Sequence, residues 1–149
     1  MDILEWERNG YSVSTDKSRI DLGMVHGFLS KSYWSENIPR LVVQKSIENS
    51  LCFGVYHQQN QIGFARVVTD FSTFAYLADV FILPDQRGQG LAKWLMQIIV
   101  DYPKLQGLRR FTLATKDAHE LYAQFGFTPF DKPERWMQKH DPDVYKNKN

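Results

Sequence analysis

One cysteine, Cys52, stands alone among 149 residues, so no intramolecular disulfide can form. A lone thiol, with no basic-then-apolar leader at the N-terminus, predicts a reducing, cytoplasmic setting. Long hydrophobic runs are also missing. None approaches the ~18 apolar residues of a membrane span, which argues against a membrane partner. Charge of one sign is scarce: 18 basic residues face 17 acidic ones, the formal net charge is +1, and there is no long basic block. Phosphate-backbone binding rests on clustered Lys and Arg, so nucleic acid is set aside as the main partner. No His/Cys/Asp/Glu cluster has ligand spacing, and no metal is expected. Internal repeats and linkers are absent before the polar end, where Asp141-Pro142-Asp143 and Lys146-Asn147-Lys148-Asn149 read as a solvated tail. The reading is one domain over residues 1–139 with a tail over 140–149, monomeric or homodimeric. What is present is a core: 43% of residues are apolar, and a chain this long buries roughly 68–70% of its unfolded surface. Aromatics make up 14%, which suits either a Phe/Tyr/Trp-rich core or a pocket with aromatic walls.

Residues 11–14 alternate as a strand should, and Leu22, Val25, His26, Leu29 and Tyr33 fall at helical spacing. A second helix follows Pro39, with Leu41, Val43 and Ile47 on its apolar face. The period then changes. Runs over 51–56 and 62–68, separated by Gln58-Gln59-Asn60-Gln61, read as a hairpin, and 74–83 adds a third antiparallel strand that stops at Pro84-Asp85. A helix from Leu91 carries Leu95, Ile98 and Tyr102 on one stripe, and 111–115 forms another strand. Asp117 and Glu120 have capping-box spacing before a short helix ended by Gly126, with closing strands at 127–130 and 135–138. The order β, α, α, β, β, β, α, β, α, β gives a mixed α/β fold, a sheet with helices packed on it.

Chemistry concentrates in Gln86-Arg87-Gly88-Gln89-Gly90-Leu91-Ala92. Its glycines let the backbone turn sharply, and the new helix points unpaired N–H groups and partial positive charge at whatever sits there. Arg87 adds a full charge, so phosphate or pyrophosphate is the natural guest. The glycine spacing is not that of a Walker A loop, and the third glycine of a dinucleotide fingerprint is missing. Conformational need alone also places glycine in such turns.

Arg87-Gly88-Gln89-Gly90-Leu91-Ala92 resembles the Arg/Gln-x-x-Gly-x-Gly/Ala signature of the GNAT superfamily of acyl-CoA-dependent N-acyltransferases. Ala118-His119-Glu120-Leu121-Tyr122, followed by Gly126-Phe127, resembles a second family pattern at the right separation. Residues 50–130 carry this resemblance well; the N-terminal helices match only in order. The resemblance implies a twisted, mostly antiparallel sheet of six to seven strands with about four helices, splayed after the strand that precedes the signature. It implies acetyl-CoA as cosubstrate, with main-chain bonds from Val80, Phe81 and Ile82 to pantetheine. The amides from Gly88 through Gln89, Gly90, Leu91, Ala92 and Lys93 would hold the pyrophosphate. Lys93 either adds charge there or faces solvent. Thr115 stands where the family commonly has an Asn that touches the cofactor.

The implied reaction is direct attack of a neutral amine on the thioester through a tetrahedral oxyanion, which the N–H near Ile82 would stabilise. Tyr122 matches the family's general acid, a phenol that stays protonated at neutral pH; without the resemblance it is a core aromatic. The family's Glu base has no counterpart here. Asp79 is the one acidic residue on the strand, as a base or as the partner of Arg66, and strand alternation aims only one of Tyr76 and Asp79 at the acyl group. Tyr33, Trp34 and Tyr76 are candidate acceptor-binding residues, with Glu36 attracting a substrate cation. His119 and His26 read as surface residues. The acceptor, a small-molecule or a peptide or protein amine, is not readable. Two alternatives stay open: an acyl-CoA-binding sensor without transfer, and an anion site for another phosphate ligand.

Overall fold

Asn9 and Gly10 both take positive φ (51° and 83°), the geometry of a tight hairpin turn, and fold strand β1 (Glu5–Arg8) back on β2 (Tyr11–Ser14). The structure, a computed structural model, describes residues 1–146. β1 is absent from the sequence reading because Glu5, Glu7 and Arg8 mask its alternation, leaving Trp6 as its one inward ring. Helices α1 (Leu22–Leu29) and α2 (Arg40–Glu48) follow, the first capped by Asp21, whose carboxylate accepts from the Met24 N–H. Strands β3 (Leu51–His57), β4 (Asn60–Thr69) and β5 (Phe74–Ile82) run antiparallel as expected. After α3 (Leu91–Val100), β6 (Arg110–Leu113) joins β5 in parallel, and α4 (His119–Ala123) ends the regular structure. The six strands lie in chain order in one sheet, so the α/β fold class and the mostly antiparallel sheet with four helices hold.

Alternate strand residues feed two cores. Phe53, Val55 and Val67 meet Leu95, Met96 and Ile99 of α3 in the larger; Cys52 and Phe64 meet Val25, Leu29, Val43 and Ile47 of α1 and α2 in the smaller. Both faces are therefore covered, and β3 is buried from Leu51 through Tyr56. Each fully buried aliphatic side chain contributes about 1.5–3 kcal/mol of transfer free energy.

Two expectations need correcting. Residues 127–130 and 135–138 form no strands. Pro129 lacks an N–H that a ladder needs, a 3-10 turn over Pro133–Arg135 runs into the second segment, and Phe130 stacks on Trp136 at 4.3 Å with Arg110 over the Trp136 ring. The Asp117–Glu120 capping box is not made either: α4 starts from Ala118, whose N–H goes to Thr115 Oγ1 at 3.0 Å. Of the predicted tail, Tyr145 packs against the smaller core, and residues 147–149 lie outside the described residues. Among the described residues no helix is long and apolar enough to cross a membrane, and no cluster of three or more His, Cys, Asp or Glu is set to hold a metal.

Gly63 sits where β4 presses on the end of β5. A Cβ there would lie 2.9 Å from the Phe81 carbonyl oxygen and 2.7 Å from Ile82 Cδ1. Gly63→Ala is expected to cost about 1–3 kcal/mol. In a chain of this size that lowers Tm by about 2–4 °C per kcal/mol, which thermal unfolding by circular dichroism measures.

Candidate active site

β5 pairs with β6 only from Phe74 to Leu77, yet continues to Ile82 on its β4 side. The β6-facing edge of residues 78–82 is left without a strand, which is the expected splay. A cavity of about 1020 Å³ occupies the opening.

Asp79 sits at a β-bulge. Phe64 pairs with Phe81 and Arg66 with Ala78, so Asp79 and Val80 together oppose Ala65, and Asp79 takes φ 57°. An acidic side chain tolerates this left-handed conformation better than a β-branched one. The extra residue resets the alternation, so Tyr76 and Asp79 both border the cavity, contrary to the expectation that only one would face it. Asp79 is fully engaged: Oδ2 takes the Arg66 Nε–H at 2.9 Å and Oδ1 the Trp34 indole N–H at 2.9 Å. Arg66 in turn donates to Ser50 Oγ at 3.0 Å. With side-chain exposures of 8% for Asp79 and 18% for Arg66, this is a largely buried ion pair in which both carboxylate oxygens accept a hydrogen bond.

Beyond β5, Gly88 and Gly90 have φ of 84° and 77°, and Gly90 opens α3 from the left-handed region with no side-chain cap. The first bond inside the helix runs from the Trp94 N–H to the Gly90 carbonyl at 3.0 Å. The amides of Leu91, Ala92 and Lys93 thus precede the ladder, next to the positive end of a ten-residue helix. Arg87 pins the loop to β5, its Nε–H meeting the Ile82 carbonyl at 2.9 Å. Gln89 turns away from the cavity and accepts from the Tyr11 hydroxyl at 2.9 Å.

On the far wall Tyr122 is half-buried and edge-on to Phe127. Burial pushes its phenol above the ordinary value, and nearby Tyr33 and Asp117 push the same way. Thr115 borders the cavity with its hydroxyl oxygen committed to Ala118. Tyr33 and Trp34, from the turn after α1, border it too, whereas Glu36 is exposed and does not. His119 is exposed, and His26 lies within 3.0 Å of the Ile38 carbonyl through Nε2, away from the cavity. Among the bordering residues that the sequence did not assign to the site are Phe28, stacked on Phe81 at 3.9 Å, and Lys116 and Asp117 beside Thr115. Phe28 was detectable as a widening of the α1 apolar stripe; Lys116 carries no pattern, and the spacing of Asp117 pointed to a helix cap instead.

The acetyltransferase (GNAT) family profile matches residues 21–127. A Gibberella zeae protein described as a putative acetyltransferase is 32% identical over 142 residues, spanning 80% of this chain and 79% of that one. A solved structure from Xanthomonas campestris pv. campestris, described as a putative acetyltransferase of the GNAT family, is 48% identical. It superposes with a TM-score of 0.91 over 95% of this chain and 100% of its own. A Clostridium acetobutylicum predicted acetyltransferase, solved with acetyl-CoA, is 14% identical with a TM-score of 0.62, covering 93% of this chain and 95% of its own; it shares the fold. By these matches, and by a splayed β5 that runs into a glycine turn and a bare helix start, the chain belongs to the acetyltransferase (GNAT) family.

Proposed function

We propose that this protein transfers the acetyl group of acetyl-CoA to a primary amine by direct attack. The observation that carries the reading is the continuity of one cavity from the uncapped amides at the start of α3, past the free edge of β5, to the Tyr122 phenol. Those three features match the three needs of a long anionic thioester: charge at its phosphates, hydrogen bonds along its arm, and a proton for its sulfur. The chain's residues fit acetyl-CoA. The amides of Leu91, Ala92 and Lys93 would hold the pyrophosphate while Arg87 and Lys93 add positive charge, and Val80 and Ile82 would offer main-chain groups to the pantetheine arm; the Phe81 carbonyl faces Gly63 on β4, so the expected Phe81 contact is not available. The Ile82 carbonyl is already held by Arg87, so its N–H is the group left to stabilise oxyanion charge. Acetyl-CoA supplies a thioester activated toward amines.

Direct transfer is favoured over an acyl-enzyme because the one cysteine is unsuited to it. Cys52 is buried in the smaller core, burial pushes its thiol up to about 12, and it does not border the cavity. Tyr122 donates the proton that the departing sulfur needs. Its raised pKa keeps the acid form present throughout the neutral and mildly alkaline range. Asp79 is assigned as a positioning residue for Trp34 and Arg66 rather than a base, since both its oxygens already accept hydrogen bonds. The acceptor amine then loses its proton to water in the open cavity.

Isothermal titration tests the first step: acetyl-CoA and CoA should bind and ATP should not, and Gly90→Glu should abolish binding. A Glu side chain is strained at φ 77° and sets a negative charge on the phosphate site. Binding of ATP in preference to CoA would turn the loop into a site for a different phosphate ligand; binding without CoA release from any amine would make the domain a sensor. Tyr122→Phe should lower kcat by about 10²-fold with the acetyl-CoA Kd unchanged, as for loss of a general acid. Because the acid form is the working one and burial raises its pKa above the ordinary phenol range, kcat should show no falling alkaline limb through neutral and mildly alkaline pH. Asp79→Asn separates anchor from base. An anchor predicts a lower Tm with kcat and its pH profile kept within about fivefold; a base predicts a loss of about 10²–10⁴-fold in kcat. If the single variant does not fold, Arg66→Gln combined with Asp79→Asn removes the unpaired charge and gives the same readout.

A further inference from the structure

The acceptor end of the cavity has an unusual lining. Phe28 lies flat on Phe81 at 3.9 Å and 10°, tilts against Trp34 at 6.3 Å, and Tyr33 stands edge-on to Trp34 at 5.1 Å. Phe81 belongs to the smaller core and Phe28 packs on it, but the outer rings are not core: Tyr33 is 60% exposed, Trp34 41% and Tyr76 39%, and all three border the cavity. Nor are they loose, since the Trp34 indole is tied to Asp79, itself held by Arg66, which reaches Ser50. A wall of aromatic faces, open to the cavity and fixed in orientation by a buried charge, is a preorganised surface for another flat ring.

Charge at this end points the same way. At this end the cavity is bordered by two basic side chains, Arg66 and Lys116, and two acidic ones, Asp79 and Asp117; Arg87 and Lys93 lie at the other end, by the glycine turn and the start of α3. Asp79 is neutralised by Arg66. Lys116 places Nζ 5.3 Å from the Tyr33 ring centre, so that ring already has a cation, and Glu36 stands outside. A polyamine or a lysine-rich peptide would bring several ammonium groups to a lining with no net negative charge to hold them. An acceptor with one amine, which reacts in its neutral form, has no such need.

Resting on the acetyl-CoA reading above, we infer that the acceptor is an arylalkylamine: one primary amine on a short linker from an aromatic ring that lies against Trp34 and Tyr33. Trp34 is bonded directly to the bulge residue of β5, so a ring seated on it needs only a short linker to bring its amine to the splayed edge. Trp34 is then a specificity-determining residue, and Asp79 and Arg66 position it.

The test measures CoA release by thiol titration with 2-phenylethylamine, tryptamine, spermidine and a lysine-rich peptide, beside the acetyl-CoA Kd of the same sample. Expected are kcat/KM values for the two aryl amines at least tenfold above those for spermidine and the peptide. Trp34→Ala should raise the aryl-amine KM about tenfold with kcat within a fewfold and the acetyl-CoA Kd unchanged. Tyr33→Ala, which touches none of the Asp79 hydrogen bonds, should raise that KM severalfold and serves if Trp34→Ala does not fold. Preference for spermidine or the peptide, an aryl-amine KM indifferent to both variants, or no transfer to aryl amines by a protein that binds acetyl-CoA would each overturn the inference. Failure of the folded protein to bind acetyl-CoA would instead overturn the reading on which it rests.

Discussion

Strand β5 is held along its whole length on one side and along less than half on the other. Its pairing with β4 reaches from Ala75 to Ile82, while its parallel pairing with β6 stops at Leu77. Everything the site contains follows from that asymmetry. The β4 side fixes the strand, so the free side keeps its shape with no neighbour to define it. The opening cannot close by a shift of β5 toward β6 without breaking the pairing with β4 that runs on to Ile82. Nor is β6 free to follow, since the Arg109 and Arg110 amides are anchored to the Thr73 carbonyl at the far end.

The bulge at Asp79 and Val80 is the local device that turns this opening into a site. A non-glycine residue at φ 57° costs roughly 1–2 kcal/mol in the left-handed region, and such a conformation persists only when its surroundings over-determine it. Here the surroundings do so through hydrogen bonds to both carboxylate oxygens, from Arg66 on β4 and from Trp34 after α1. The ion pair contributes little net stability, because desolvation offsets much of its attraction. Its consequence is geometric: it joins sheet, bulge and the α1–α2 connection into one unit, so the aromatic wall and the free edge of β5 hold a fixed relation.

Much of this was legible in the residues and some was not. The hairpin of β3 and β4, the return of β5, and α3 opening at a glycine turn each carry a local pattern, alternation in the strands and a 3.6-residue stripe in the helix. Phe127, Trp136 and Met137 looked like closing strands by their residue types, but Pro129 denies the first a ladder donor and a 3-10 turn over Pro133–Arg135 takes the start of the second. β1 was missed for the opposite reason: charged residues hide its period, and the Asn9-Gly10 turn that identifies it is short. The bulge left no trace at all. It depends on register between β4 and β5, and register is a property of two strands that no single-strand pattern contains. The reading of Tyr76 against Asp79 failed at that point, and with it the picture of which side chains share the cavity.

The same register joins two unlike halves of one cavity. Toward α3 the walls are backbone amides and basic side chains, a surface whose attraction for anions does not depend on side-chain shape. Toward α1 they are rings, with Trp34 oriented by a charge pair that cancels internally. The bulge sits at the junction, and both halves meet within the few residues from Tyr76 to Ile82. Redesign of the aromatic end is therefore separable from the phosphate end only while the Asp79 contacts survive. Substituting Tyr33 changes a wall, whereas substituting Arg66 removes the constraint that makes it a wall.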